Sequence, residues 1–310
     1  MLVLLYVSVT EPLFAETNDI VSHDEKTNLT GFKSNSIFFE FKTGFGVCSS
    51  ITNELIFEND KTISKLNWIQ YASPLCMVNG RLVFYNFFCE FLTSFCVPFR
   101  CGVLHDYDYL EKSSTKATQY SKHDIYLDKF FDFSSRFGYE FHINSWFIAP
   151  IIGVKYSMRK WEAHDGFLQY PTSGFWVGDE PKTYVMGNII SYEQSILLPE
   201  LSLIVRKILP NDFSIFSSFT VCPYCVVDTL DSHFMRSKQF FDTMRGGFSI
   251  KADFGFSYKR FDFSFSYRYL KVLNGTTKST PIGFEKPITK ELSTSGVIGH
   301  EFQFGVSYIF

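Results

Sequence analysis

The stretch 248-FSIKADFGFSYKRFDFSFSYRYL-270 decides the fold. Phe248, Ile250, Ala252, Phe254, Phe256 and Tyr258 alternate with Ser249, Lys251, Asp253, Gly255 and Ser257. After a tight turn at Lys259 and Arg260, Phe261, Phe263, Phe265, Tyr267 and Tyr269 alternate with Asp262, Ser264, Ser266 and Arg268. Successive side chains of a strand point to opposite faces, so this is a hairpin with one apolar and one polar face. Each arm runs for about ten residues, whereas the strands of ordinary sheets average ~5–6. Arms of about 9–11 residues are what a tilted strand needs to cross a bilayer. The chain ends in the same manner: in 300-HEFQFGVSYIF-310, Phe302, Phe304, Val306, Tyr308 and Phe310 share one face.

Similar segments lie at 36–57, 64–78, 82–104, 123–140, 144–165, 184–204 and 213–230, and with 244–258, 260–276 and 297–310 they number ten. Backbone groups in lipid must be paired within the protein, so such a sheet has to close. An even strand number is the rule for single-chain bacterial barrels. The expectation is an all-β fold, a ten-stranded antiparallel transmembrane β-barrel over 36–310. Short turn-like joins at 79–81 (NGR), 207–212 (KILPND) and 258–260 (YKR) alternate with polar stretches at 105–122, 166–183, 229–243 and 274–296. The latter are expected to be long extracellular loops.

The composition agrees with this reading. The 310 residues include 37 Phe, 17 Tyr and 4 Trp, yet no stretch holds the ~18 consecutive apolar residues of a transmembrane helix. A net charge of −3 gives no electrostatic reason to expect a nucleic-acid partner. The short apolar run at 2–9 and the small Ala15 resemble a secretory signal peptide over 1–15, although no Lys or Arg precedes the run. The polar residues 16–35 then read as a mobile lead-in.

Seven cysteines form no disulfide framework. Cys222-Pro-Tyr-Cys225 has the spacing of a thiol-redox motif, whose first cysteine is activated at a helix N-terminus. The flanking residues are β-branched and aromatic without helical period, so the motif reads as a chance match or a local disulfide. No His, Cys and carboxylate spacing suggests a metal site, and His105 and His123 read as rim residues.

Two charged knots remain, 105-HDYDYL-110 and 228-DTLDSH-233. In each, two ionisable groups sit at i and i+2, on one side of a strand. Four strands of a ten-stranded barrel separate the knots, so Asp106 and Asp108 are expected to face Asp231 and His233 across the barrel mouth. At this point the sequence resembles the omptins, a family of ten-stranded outer-membrane endoproteases. Their pairs Asp-x-Asp and Asp-x-His match Asp106-Tyr107-Asp108 and Asp231-Ser232-His233 in order and separation. Further agreement comes from 64-SKLNW-68, Ser121-Lys122-His123, Gly153 through Ala163 to Gly166, and Tyr192 and Gln194 before Pro199.

The resemblance implies a bacterial outer-membrane endopeptidase acting on extracellular peptides or proteins, with Asp106, Asp108, Asp231 and His233 as catalytic residues and no cofactor. Glu54 matches the acid at the floor of the family's primary specificity pocket and implies a basic P1 residue. The family's second pocket acid falls at Thr229, with Asp228 one step away as a substrate-binding candidate. The lipopolysaccharide signature of the family falls on 153-GVKYSMRKWEAHDG-166, where Tyr156 and Met158 replace its acid and arginine. Arg159 and Lys160 follow as lipid-binding candidates, and lipopolysaccharide or another outer-membrane lipid is the expected activator. Two other functions compete: a catalytically silent barrel acting as adhesin or porin, and a soluble thiol-redox protein built on Cys222 and Cys225.

Overall fold

A computed structural model of the chain describes residues 37–111, 115–284, 286–287 and 293–310. The expected signal peptide at 1–15 and lead-in at 16–35 lie outside the described residues. The strands are β1 (Ile37–Glu58), β2 (Lys61–Phe84), β3 (Phe87–Phe95), β4 (Phe99–Asp108), β5 (Gln119–Tyr139), β6 (Phe141–Ile143), β7 (Trp146–Gln169), β8 (Thr183–Tyr184) and β9 (Asn188–Leu209). They continue as β10 (Phe213–Cys222), β11 (Cys225–His233), β12 (Lys238–Gly246), β13 (Phe248–Tyr258), β14 (Phe261–Pro281) and β15 (Ser293–Ile309). A 3-10 turn at Phe234–Arg236 joins β11 to β12.

All pairings are antiparallel, and β15 pairs with β1 from Lys42↔Ile309 to Phe57↔Thr294, which closes the sheet. Three of the ten spans are two strands in line: β3 with β4, β10 with β11, and β12 with β13. The breaks have local causes. Pro98 and Pro223 lack the N–H that a ladder needs. Gly247 adopts φ +66° with its α-carbon against the Lys271 carbonyl, a conformation and a space that exclude a side chain.

The hairpin at 248–270 folds as the alternation requires. Phe254, Phe256, Tyr258, Phe261 and Phe265 are exposed, while Ser249, Ser257, Ser266 and Arg268 are buried inside. The exposed set continues round the barrel through Phe45 at 73%, Phe91, Phe133, Ile152 and Leu203 to Phe304. A water-soluble monomer rarely exposes a continuous apolar band of this kind; lipid is the solvent that suits it.

Inside the belt the lumen is filled by ion pairs. Lys155 meets Asp132 at 2.6 Å, Arg268 meets Glu200 at 2.8 Å, Lys42 meets Asp262 at 2.7 Å, and Arg159 pairs with Glu301. Above them Trp68, Trp161, Tyr192, Leu270, Val272 and Val297 form apolar layers. A cavity of ≈ 30 Å³ beside Arg159 and Arg268 has room for only a water or two.

The boundaries differ from the sequence reading in one consistent way: the strands are longer. Asn79-Gly80-Arg81 is not a turn but the interior of β2, in register with Lys42, Phe41 and Glu40. Arg81 finds Glu140 at 2.5 Å and Asn79 donates to Glu90 at 3.0 Å, so pairing overrides turn propensity there. The reversal occurs instead at Tyr85 and Asn86. The stretch at 229–243 is not a long loop, because β11 and β12 occupy all of it except 234–237. Spans such as β14, with 21 residues, extend well past the membrane. At ~3.3 Å per residue and the usual tilt, they rise roughly 50 Å against a lipid-facing band of ~25 Å. The aromatic belt occupies the lower half, and β4, β11 and β12 stand in the upper half.

Candidate functional site

The pleat aims both charged pairs inward. Asp106 and Asp108 alternate with outward His105 and Tyr107 on β4, and each is only 7% exposed. Asp231 and His233 do the same on β11, where Asp231 is 3% exposed. Both pairs lie outside the membrane-spanning segments, at the mouth that the longer strands build. They are near enough that the charge of each shifts the proton affinity of the other.

His233 Nε2 lies 2.6 Å from Asp231 Oδ2. A ring nitrogen facing a carboxylate is the donor, so this contact puts the proton on Nε2 and leaves Nδ1 as an acceptor. Burial works against a charged ring, but the Asp231 carboxylate, its hydrogen bond and Asp106 outweigh it and raise His233 above the ordinary imidazole range. Burial, reinforced by the Asp108 carboxylate, pushes Asp106 up to about 7. Asp106 Oδ1 and Asp231 Oδ1 are buried without a hydrogen-bond partner in the protein. Buried polar atoms of this kind mark places that a water or a ligand completes.

Behind Asp106 stands a short relay. Ser121 Oγ lies 3.4 Å from Asp106 Oδ2 and 2.9 Å from His123 Nε2, and His123 Nδ1 faces the Asp165 carbonyl at 2.5 Å. When Asp106 carries its proton, each donor is used once: Asp106 to Ser121, Ser121 to His123, His123 to the carbonyl. His123 is thus no rim residue. It is 1% exposed, and the alternation of β5 places it on the inner face.

Glu54 enters from β1, in register with Leu66, which is itself in register with Asp106. Its Oε2 accepts a 3.4 Å bond from Trp68 Nε1, above the stacked rings of Trp68, Trp161 and Tyr192. Burial raises its carboxyl well above the usual range, and Asp231 and Asp242 raise it further.

Asp242 is a site residue that the sequence reading missed. It is 2% exposed, accepts Thr229 Oγ1 at 2.8 Å and Thr277 Oγ1 at 2.5 Å, and is held at about 6 by burial. Its alternation in 240-FFDTM-244 was the available signal, obscured by treating 229–243 as a loop. Asp228, by contrast, points outward, half exposed and bound to Arg245 at 2.9 Å, because Thr229 takes the inward place.

Arg159 also departs from expectation. It is turned into the lumen against Glu301 and Asp132, out of reach of external lipid, and only Lys160 stays on the outer face, bound to Asp128 at 2.9 Å and Glu162 at 2.8 Å. The thiols of Cys222 and Cys225 are 3.7 Å apart at the break between β10 and β11, hydrogen-bonded rather than joined in a disulfide. A strand follows the motif, so the helix that would activate a redox thiol is lacking. Arg236, in the turn after His233, reaches Asp108 Oδ2 at 3.2 Å and was not anticipated.

The model of the Omptin family matches residues 36–310. No curated protein sequence matches the chain. The outer-membrane protease OmpT from Escherichia coli superposes with a TM-score of 0.72 at 14% identity, over 90% of this chain and 100% of that one. Two other outer-membrane proteins align less well: OprG of Pseudomonas aeruginosa with a TM-score of 0.36 at 9% identity (89% of this chain and 98% of that one), and the Ail protein of Yersinia pestis with 0.30 at 10% (89% and 99%). The ten-stranded closure, the lipid-facing belt and a family match over nearly all the described chain agree: this protein belongs to the Omptin family of outer-membrane proteases and resides in the bacterial outer membrane.

Proposed function

We propose that the chain is an endopeptidase that hydrolyses peptide bonds of extracellular proteins or peptides with a water held between Asp106 and His233. The observation that carries this reading is the pairing of two inward acid–base couples across the mouth, with His233 locked to Asp231 at 2.6 Å. His233 Nδ1 takes a proton from the water as its oxygen bonds to the peptide carbonyl carbon. Asp231 stabilises the imidazolium so formed, as the orienting acid of a triad does. The imidazolium then returns the proton to the amide nitrogen, the C–N bond breaks, and an acid and an amine leave. Asp106 orients the water by accepting its second hydrogen. No side-chain nucleophile is needed.

Glu54 and Asp242 support a basic P1 residue. Two buried carboxylates facing the same space, with no ion pair to either among the described residues, are electrostatically incomplete, and a Lys or Arg side chain completes them. The ion pairs and aromatic layers that fill the lumen among the described residues favour the protease reading over the porin reading. An outer-membrane lipid such as lipopolysaccharide is the proposed activator. With Arg159 inside, a headgroup would meet Lys160 and its neighbours on the outer face.

The test is cleavage of fluorogenic peptides with basic and apolar P1 residues by refolded protein in detergent, with and without lipopolysaccharide. Cleavage that disappears in His233→Ala supports the reading. A folded barrel that cleaves nothing under any lipid condition leaves the adhesin reading in its place.

A further inference from the structure

The catalytic residues proposed above all carry or share negative charge, apart from His233. The exception at the mouth comes from an unexpected place. Arg236 lies three residues beyond His233, in the tight turn Phe234–Arg236, yet its guanidinium donates to Asp108 on the opposite wall, 128 positions away in sequence, at 3.2 Å. Tyr170, from the connection between β7 and β8, lies beside the same guanidinium. Ser237, which ends the turn in the left-handed conformation at φ 50°, is tied back to the Phe234 carbonyl. The turn is therefore short and internally bonded, and it carries Arg236 and His233 on one element.

We infer that Arg236 is a positioning residue for the proposed hydrolysis: by gripping Asp108 across the cleft, it sets the spacing of the two acid–base couples and supplies a positive charge facing both. The inference rests on the endopeptidase reading for its purpose, though not for its geometry. The groups around His233 are Asp231 on its own strand, Lys238 opposite it on β12, Asp106 and Asp108 on β4, Arg236 on the turn and Tyr170 beyond β7. Of these, the carboxylates Asp231 and Asp106 favour a protonated ring, and Arg236 opposes it. The same cation also lowers the proton affinity of Asp106. A base that must be neutral, beside a carboxylate that must accept a water hydrogen, gains from a fixed cation that acts on both in the same direction.

The experiment is a titration of the seven histidines, followed by NMR of ring-labelled protein refolded in detergent. The His233 signal is identified as the one lost in His233→Ala. In Arg236→Gln the His233 midpoint should move up by roughly one pH unit, the size of a lost neighbouring charge. In Arg236→Lys, which keeps the charge, it should stay near the wild-type value. Arg236→Met, of similar length, serves if the glutamine variant does not refold, as judged by heat-modifiable gel migration. An unmoved midpoint in the neutral variants, or equal movement in Arg236→Lys, overturns the inference. With peptide substrate, the pH at which kcat/KM rises should move by the same amount as the midpoint. A barrel that shows the NMR shift and cleaves nothing retains the clamp and counts against the endopeptidase reading alone.

Discussion

Thr229 on β11 donates its hydroxyl to Asp242 on β12 at 2.8 Å, so a position that lacks a carboxylate is furnished with one from the neighbouring strand. The family pattern leads one to look for an acid at 229 itself. The register Thr229↔Asp242↔Thr277 shows how the acid reaches the same space from one strand further round. If Asp242 and Glu54 together receive a basic P1 side chain, removing either charge should cost selectivity. Glu54→Gln and Asp242→Asn are each expected to lower kcat/KM for an Arg or Lys P1 peptide by roughly 30-fold or more, the size of a lost buried charge pair. An apolar P1 peptide should be nearly unaffected. Equal loss on both peptides would mean that the two acids support the fold rather than the pocket.

The acid–base assignment predicts a hierarchy among single variants. His233→Ala and Asp106→Ala should each reduce turnover by about 10³-fold or more, since they remove the base and the water's orienting acceptor. Asp231→Asn keeps the size of the side chain but frees the ring to carry its proton on the wrong nitrogen, and should cost on the order of 10²–10⁴. All three must still run as heat-modifiable barrels, because the replaced groups sit above the belt and outside the lumen's ion pairs. Full turnover in His233→Ala or Asp106→Ala would remove the mechanism.

The pH dependence has a definite sign. His233 is raised by Asp231 against the opposition of burial, and Asp106 is raised to about 7 by burial and Asp108. Both must lose a proton before the water can be activated, so kcat/KM should climb as pH rises through about 7, where Asp106 ionises, and level off only once His233 is neutral as well. Asp231→Asn removes the carboxylate that raises His233, and its remaining activity should rise at lower pH. Activity that falls as pH rises across this range would show that a protonated group is required instead.

Much of this was legible from alternation alone. The inward direction of Asp106, Asp108, Asp231, His233 and Glu54 follows from a period of two, and ten segments closed as counted. What stayed hidden was decided between strands. Asn79-Gly80-Arg81 has turn chemistry, but Arg81 inside a barrel with Glu140 beside it is worth more to the fold than a reversal at that point. Asp242 and Arg236 were concealed by one error of length, the reading of 229–243 as loop. Arg159 and Lys160 are adjacent in sequence and so face opposite solvents, one the ion-paired lumen and one the exterior. A local basic pair cannot tell which is which without the register of its neighbours.

The lumen itself supports a last prediction, independent of any activity. Arg159 and Glu301 are each buried, on β7 and β15, and bind one another across the barrel interior. Breaking a buried ion pair by removing one partner leaves the other charge uncompensated and typically costs about 3–5 kcal/mol, whereas replacing both with apolar groups is often close to neutral. Arg159 has a further neighbour, Asp132 at 3.9 Å, which would also lose a partner. Glu301→Gln and Arg159→Met should therefore each lower the guanidinium midpoint of unfolding, measured by loss of the heat-modifiable form. Glu301→Leu combined with Arg159→Met should recover much of the loss, with Asp132 still bound to Lys155 at 2.6 Å. Additive damage in the double variant would show that the pair is not the interaction through which either residue stabilises the barrel.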